Sequence, residues 1–173
     1  IILLSLFFFN LSAAEELSIL AKNITIDKKS ETTIFENQVI ITTEDRNVIK
    51  GEYAEYDKAK GTLLIKKNVI ATDNKSNIIK TEYAFYNDKT KIFESLGPTQ
   101  VITTENYIIE GENIIFDNSK KIILSEEKTK ITDEDKNLIF LQNFEYQTDN
   151  NIFKSVGFVE IKDKLNNSYE FSQ

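Results

Sequence analysis

The chain has 173 residues, enough for one domain of common size or two very small ones, and its 21 Lys+Arg against 28 Asp+Glu leave a formal net charge of −7. That acidity speaks against a nucleic-acid partner, and the complete lack of Cys, His, Met and Trp excludes thiolate or imidazole metal centres, histidine-based triads and disulfide staples. What remains is rich in Ile, Thr, Tyr and Phe with only five Gly and one Pro, a palette suited to strands, and no cofactor is expected.

Residues 1–11, IILLSLFFFNL, form an apolar run too short to cross a bilayer as a helix, which takes about 20 residues. The run matches the apolar core of a secretory signal, and Ser12, Ala13 and Ala14 put small residues at −3 and −1 of a cleavage site before Glu15. No basic region precedes it and the sequence opens on Ile1, so 1–14 reads as a signal peptide truncated at its start. Residues 15–173 then form an exported β domain, cut off inside a repeat. The alternative is a buried amino-terminal strand. Lack of Cys does not oppose export, since a large sheet core needs no disulfides.

Laid against itself at a shift of 30, the sequence repeats one phrase in register: GEYAEYD (51–57), TEYAFYN (81–87), GENIIFD (111–117) and LQNFEYQ (141–147). Apolar pairs precede each copy: Val48-Ile49, Ile78-Ile79, Ile108-Ile109 and Leu138-Ile139. A degenerate earlier copy, KNITID (22–27), ends at Asp27, one full period before Asp57. The second half of the unit recurs too, with Phe93, Ile123 and Phe153 in step, and likewise Ser95, Ser125 and Ser155. Val39, Val69, Val101, Ile131 and Val159 follow at spacings of 30, 32, 30 and 28, so an insertion around Gly97-Pro98 is later absorbed.

Each unit divides into two extended runs joined by polar turn clusters rich in Asp, Asn and Lys. Such short connections close antiparallel hairpins and favour them over the rival repeat fold, a parallel β-helix. One place is always apolar (Ala54, Ala84, Ile114, Phe144), and so is the place two residues on (Tyr56, Tyr86, Phe116, Tyr146), so both face inward. Glu52, Glu82, Glu112 and Gln142 share that parity yet stay polar, which calls for a bulge or bend before the next inward position. The expected fold is all-β, an open antiparallel jelly-roll, folded over on itself and built from about five 30-residue repeats. Leu63, Phe93, Ile123 and Phe153 from the alternate strands complete an apolar inner wall. Side chains that simply pack on one another in a closed core are the competing reading of that wall.

The cadence of AEYDKAKGTLLIKKNVIAT (54–72), repeated along about residues 19–173, resembles the OstA-like lipopolysaccharide transport family. That family takes in the periplasmic bridge protein LptA, the ectodomain of LptC and the amino-terminal domain of the outer-membrane translocon LptD. The resemblance implies a folded β-taco in the periplasm or at the outer membrane, shielding the acyl chains of lipopolysaccharide with the sugars outside. Its groove would be lined by Ala54, Tyr56, Leu63, Ala84, Tyr86, Phe93, Ile114, Phe116, Ile123, Phe144, Tyr146 and Phe153. Implied partners are an LptA-like bridge protein, joined by edge-strand pairing, and an LptE-like lipoprotein acting through a barrel that would follow. The LptD branch is favoured over LptA because Ser168-Tyr169-Glu170-Phe171 falls where Val48-Ile49-Lys50-Gly51 begins an earlier unit, so the sequence stops within a repeat.

The first unit offers Asn23, Ile24, Thr25 and Ile26 as a strand with few charges, an edge able to accept a partner strand unless 17–21 covers it. Catalysis finds little support: Asp57, Asp117, Glu52 and Glu112 recur at turns or outward places, and no phosphate-binding G-x-x-x-x-G-K-[ST] loop occurs. The competing functions are a structural β-repeat scaffold or adhesin with a closed core, and a β-helical polysaccharide-acting enzyme.

Overall fold

The turns are the most regular part of the molecule, and their sequence explains why. In one set, Asp57, Asn87 and Asp117 each turn a side-chain oxygen onto the backbone N–H groups two or three residues on, at 2.9–3.1 Å. In the other set Asp73, Asp133 and Asp163 accept from the N–H four residues on at 2.8–2.9 Å, and Thr43 and Thr103 do the same with a hydroxyl at 3.1 and 3.2 Å. Each turn places one residue at positive φ, and these recur once per unit: Arg46, Ser76, Asn106, Lys136 and Asn166 in one set, Glu31, Gly61, Lys91, Lys121 and Asn151 in the other. Asn side chains link successive units, since Asn47, Asn77 and Asn137 accept the N–H of Asn74, Thr104 and Lys164 at 3.1–3.3 Å.

The computed structural model describes residues 17–172, so the expected signal peptide lies outside the described residues. Two short strands, β1 (Ser18–Leu20) and β2 (Asn23–Asp27), are followed by five long ones: β3 (Thr32–Thr42), β4 (Val48–Asp57), β5 (Thr62–Thr72), β6 (Ile78–Asn87) and β7 (Ile92–Ile102). Beyond Gly97-Pro98 each pass breaks in two: β8 (Ile108–Glu112) and β9 (Ile115–Asp117), β10 (Ile122–Ser125) and β11 (Thr129–Thr132), β12 (Leu138–Leu141) and β13 (Phe144–Gln147). The last are β14 (Ile152–Lys154), β15 (Val159–Lys162) and β16 (Ser168–Phe171). Every pairing is antiparallel, which rules out the β-helix. The result is a single creased sheet with two rows. The first row runs β1-β3-β4-β5-β6-β7-β8-β11-β12-β15-β16; the second runs from β2 through the other halves of β3 to β7 and on to β9, β10, β13 and β14.

The crease is the expected bulge. Register shifts fall between Glu36 and Val39, Lys50 and Tyr53, Lys66 and Val69, and Thr81 and Tyr83. Asn37, Gln38, Lys67, Asn68 and Gly97 take positive φ there, and Glu52, Glu82, Glu112 and Gln142 point to solvent. The odd long strands carry one more residue across the bend than the even ones: Ile65 to Val69 on β5 against Gly51 to Ala54 on β4. That mismatch kinks the sheet. At this line the chain uses small residues, since a Cβ on Gly51 would lie 2.8 Å from Ile65. Hydroxyls replace the broken ladder bonds: Ser95 accepts from the Ile114 N–H at 2.8 Å and Thr99 donates to Ser95 at 2.7 Å, all buried.

Asp117 tests the turn chemistry. Burial opposes its ionisation, yet bonds from Ser119 and Lys120 hold its carboxyl below the ordinary 3.8. Its stabilisation is therefore complete above that value and lost as pH falls through the lowered one. Asp117→Ala is expected to cost about 1–3 kcal/mol at neutral pH, with the difference from the parent shrinking in urea melts repeated below pH ~4.

Candidate functional site

Creasing the sheet turns one face of each row toward the other. On the second row Tyr56, Leu63, Tyr86, Phe93, Phe116, Ile123, Tyr146 and Phe153 form one unbroken column, each directly opposite the next across strands. Ala54 and Ala84 flank Ile65 in a second column, Phe144 stands opposite Ser125, and Ile114 lies against Ser95. All twelve residues expected in the wall thus face inward: ten are buried, while Tyr56 and Phe153 are half-buried.

The opposing wall belongs to the first row and is not among the expected groove residues. Ile41, Ile49, Ala71, Ile79, Val101, Ile109 and Ile131 stand opposite one another in sequence, all buried. The signal for it was present in the recurrence of Ile49, Ile79 and Ile109 at the same place in successive units. Residues of both walls line the same small void, Ile49 and Ile79 from the first row with Tyr86, Phe93, Phe116 and Ile123 from the second. That void measures about 20 Å³, room for little more than one water, so the walls are in contact there.

The ends differ from the middle. In β2, Ile24 stands opposite Phe35 on the inner face yet is 54% exposed, and in β16 Tyr169 is 49% exposed opposite Ile161. Beside β1 lies an open depression of about 440 Å³, lined by Leu17, Ile19, Phe35 and Tyr56 and rimmed by Glu44 and Asp88. Asn23, Ile24, Thr25 and Ile26 are all exposed and pair on one side only, with Glu36, Phe35, Ile34 and Thr33 of β3. Residues 17–21 do not cover this edge; β1 pairs with the other half of β3 and prolongs it.

Along the open side, opposite the crease, polar groups bridge the rows. Lys91 meets Glu44 at 3.0 Å, and Lys75 meets Asp149 and donates to the Thr148 carbonyl at 3.0 Å. The Tyr146 phenol donates to Glu105 at 2.8 Å, and its ring stacks on Phe153, which packs edge-on against Tyr107. Burial first, then neighbouring carboxylates, push the Tyr86 and Tyr146 phenols well above their usual range, so both stay neutral.

A family model described as "Lipopolysaccharide-assembly, LptC-related" matches residues 15–134. The chain belongs to the LptC-related lipopolysaccharide-assembly family. The match runs from the amino-terminal edge through β11, about four of the repeats. Among solved structures the chain is similar to LptH, the LptA-homologous periplasmic component of the lipopolysaccharide transport device of Pseudomonas aeruginosa. Identity is 11%, coverage 92% of this chain and 97% of that one, and the TM-score 0.36. It is also similar to the TCP10 domain of Danio rerio CPAP, solved with a STIL peptide, at 11% identity, 90% and 100% coverage and a TM-score of 0.17. No curated protein matches it.

Tight contact between the walls predicts a sharp response to volume. Leu63→Ala should destabilise by about 2–5 kcal/mol, and Ala84→Phe, which adds a ring where no void exists, by about 1–3 kcal/mol. Both would be read as shifts of the urea midpoint at unchanged slope.

Proposed function

We propose that this chain shields the acyl chains of lipopolysaccharide between its two rows and passes them on from unit to unit along the stack of strands. The observation that carries this reading is the pair of facing apolar columns, which run without a polar break through successive units and end uncovered at both edges. Hiding lipid from water is worth roughly 0.8 kcal/mol per CH₂, so one chain of about twelve carbons gains on the order of 10 kcal/mol. Monotonous walls suit a sliding alkyl chain, whereas a fixed ligand needs convergent polar groups. The net charge of −7 repels anionic sugars and phosphates, which favours capture by the tails. With about 20 Å³ between the walls, the rows must part to admit a chain.

The exposed edge of β2 supports a second part of the proposal, in which an LptA-like bridge protein adds a strand beside Asn23, Ile24, Thr25 and Ile26. Delivery to the outer membrane, as the amino-terminal domain of an LptD-like translocon working with an LptE-like lipoprotein, is the narrowest form of the proposal. It is supported by the sequence cadence alone.

A photoreactive residue at Phe116 is expected to form adducts with lipopolysaccharide in cells, and one at the outward Glu82 is not. Adducts from Glu82 only, or from neither, would remove the groove. The same chemistry at Thr25 is expected to capture an LptA-like partner, while Phe85, on the outer face in mid-sheet, gives none.

A further inference from the structure

The open side of the sheet is closed by a recurring arrangement. Tyr86 and Thr43 of the opposite row line one small void, and Tyr146, at the place equivalent to Tyr86 two units on, donates to Glu105, two residues beyond Thr103, at 2.8 Å. Each tyrosine lies 43 residues beyond its threonine, and the two pairs lie two units from each other. The unit between has Phe116, which has no hydroxyl to offer, and the corresponding Asp73 is instead bonded by Asn77 at 2.7 Å. Ion pairs reinforce the closure: Glu44 with Lys91 next to the first pair, Lys75 with Asp149 next to the second.

Tyr56 occupies the equivalent inward place one unit earlier, but its phenol donates to Asp88 of its own row at 3.0 Å. An open depression of about 440 Å³ lies here, lined by Tyr56 itself, whereas Tyr86 lines an enclosed void of about 20 Å³.

We propose that the Tyr146–Glu105 hydrogen bond and the Glu44–Lys91 ion pair are clasps that hold the groove shut. An alkyl chain enters between the rows by displacing them. This rests on the groove reading and adds to it a gate. Tyr146 donates to a carboxylate and Glu44–Lys91 is a partly exposed ion pair, so the seam consists of a few separate contacts that an advancing apolar chain displaces one at a time.

The test uses the absence of cysteine. In the full chain carrying Glu44→Cys and Lys91→Cys, the two thiols are the only ones, and a short bis-methanethiosulfonate linker, which forms a reducible disulfide to each thiol with loss of methanesulfinate, bridges the mouth. The probe is lipopolysaccharide labelled on its sugar, with β-sheet content checked by circular dichroism. The bridged form is expected to bind at least tenfold less than the reduced form, and reduction should restore binding. Equal binding by the bridged and reduced forms overturns the clasps while leaving the groove in place. No binding by the reduced form or the parent chain overturns the groove, and the clasps with it. A second variant, Tyr146→Phe, keeps the ring and removes the hydroxyl. It is expected to take up the probe several-fold faster than the parent, and an unchanged rate overturns the role given to the phenol.

Discussion

Everything in this molecule depends on how a strand bends without losing its inward face. Side chains alternate strictly along a strand, so a long strand crossing from one row to the other must spend extra residues at the bend if apolar groups are to face the interior on both sides. The even strands place Gly51 and Ala54, or Thr81 and Ala84, three apart across the bend; the odd strands place Ile65 and Val69, or Ser95 and Thr99, four apart. The unequal counts force a kink at every pass, and the constant period of the repeat aligns the kinks into one crease. Backbone groups that lose their ladder partners there are taken up by Ser95, Thr99 and Ser125, and that requirement accounts for buried hydroxyls in an otherwise apolar interior.

From the crease follow both the walls and their unequal ends. The rows share strands, so their inner faces cannot separate at the bend, but at the opposite side they are joined by side chains, most of them from the turns. Those contacts are sheared: Glu44, between β3 and β4, meets Lys91, between β6 and β7, and Glu105, between β7 and β8, meets Tyr146 on β13. A first-row turn therefore sits over a later second-row strand. Such an offset leaves the second row uncovered at its beginning and the first row uncovered at its end, where Ile24 and Tyr169 are exposed. Twist between neighbouring strands is the general source of such an offset.

The sequence made the local features legible and hid the relation between rows. Repeats, turns and the second-row wall could be read because each is encoded within one unit: Asp57 to Lys60 closes a turn, and Ala54 with Tyr56 marks a face. Even the bend was readable, from Glu52 and Glu82 staying polar at an inward parity. The first-row wall escaped because its residues arrive as apolar pairs such as Val48-Ile49, and a pair names no face; only pairing of Ile49 with Ile41 and Ala71 does so. The cross-row contacts escaped altogether, since Tyr146 and Glu105 meet through the shear of two rows that no single unit contains.

A closed interior and a lipid groove are not opposed in energy. Apolar side chains that contact one another in the empty chain can contact an alkyl chain instead, with no apolar surface returned to water once the chain is in place. What changes on opening is the polar seam along the open side and the backbone angle at the crease. The seam consists of few bonds, several of them between partly exposed partners such as Lys91 and Glu44. The crease is a line where the ladder is already broken, so widening it disrupts few further backbone bonds. A sheet built this way stays closed because its walls have no better partner than each other, and under the proposed function a long alkyl chain is the partner that opens it.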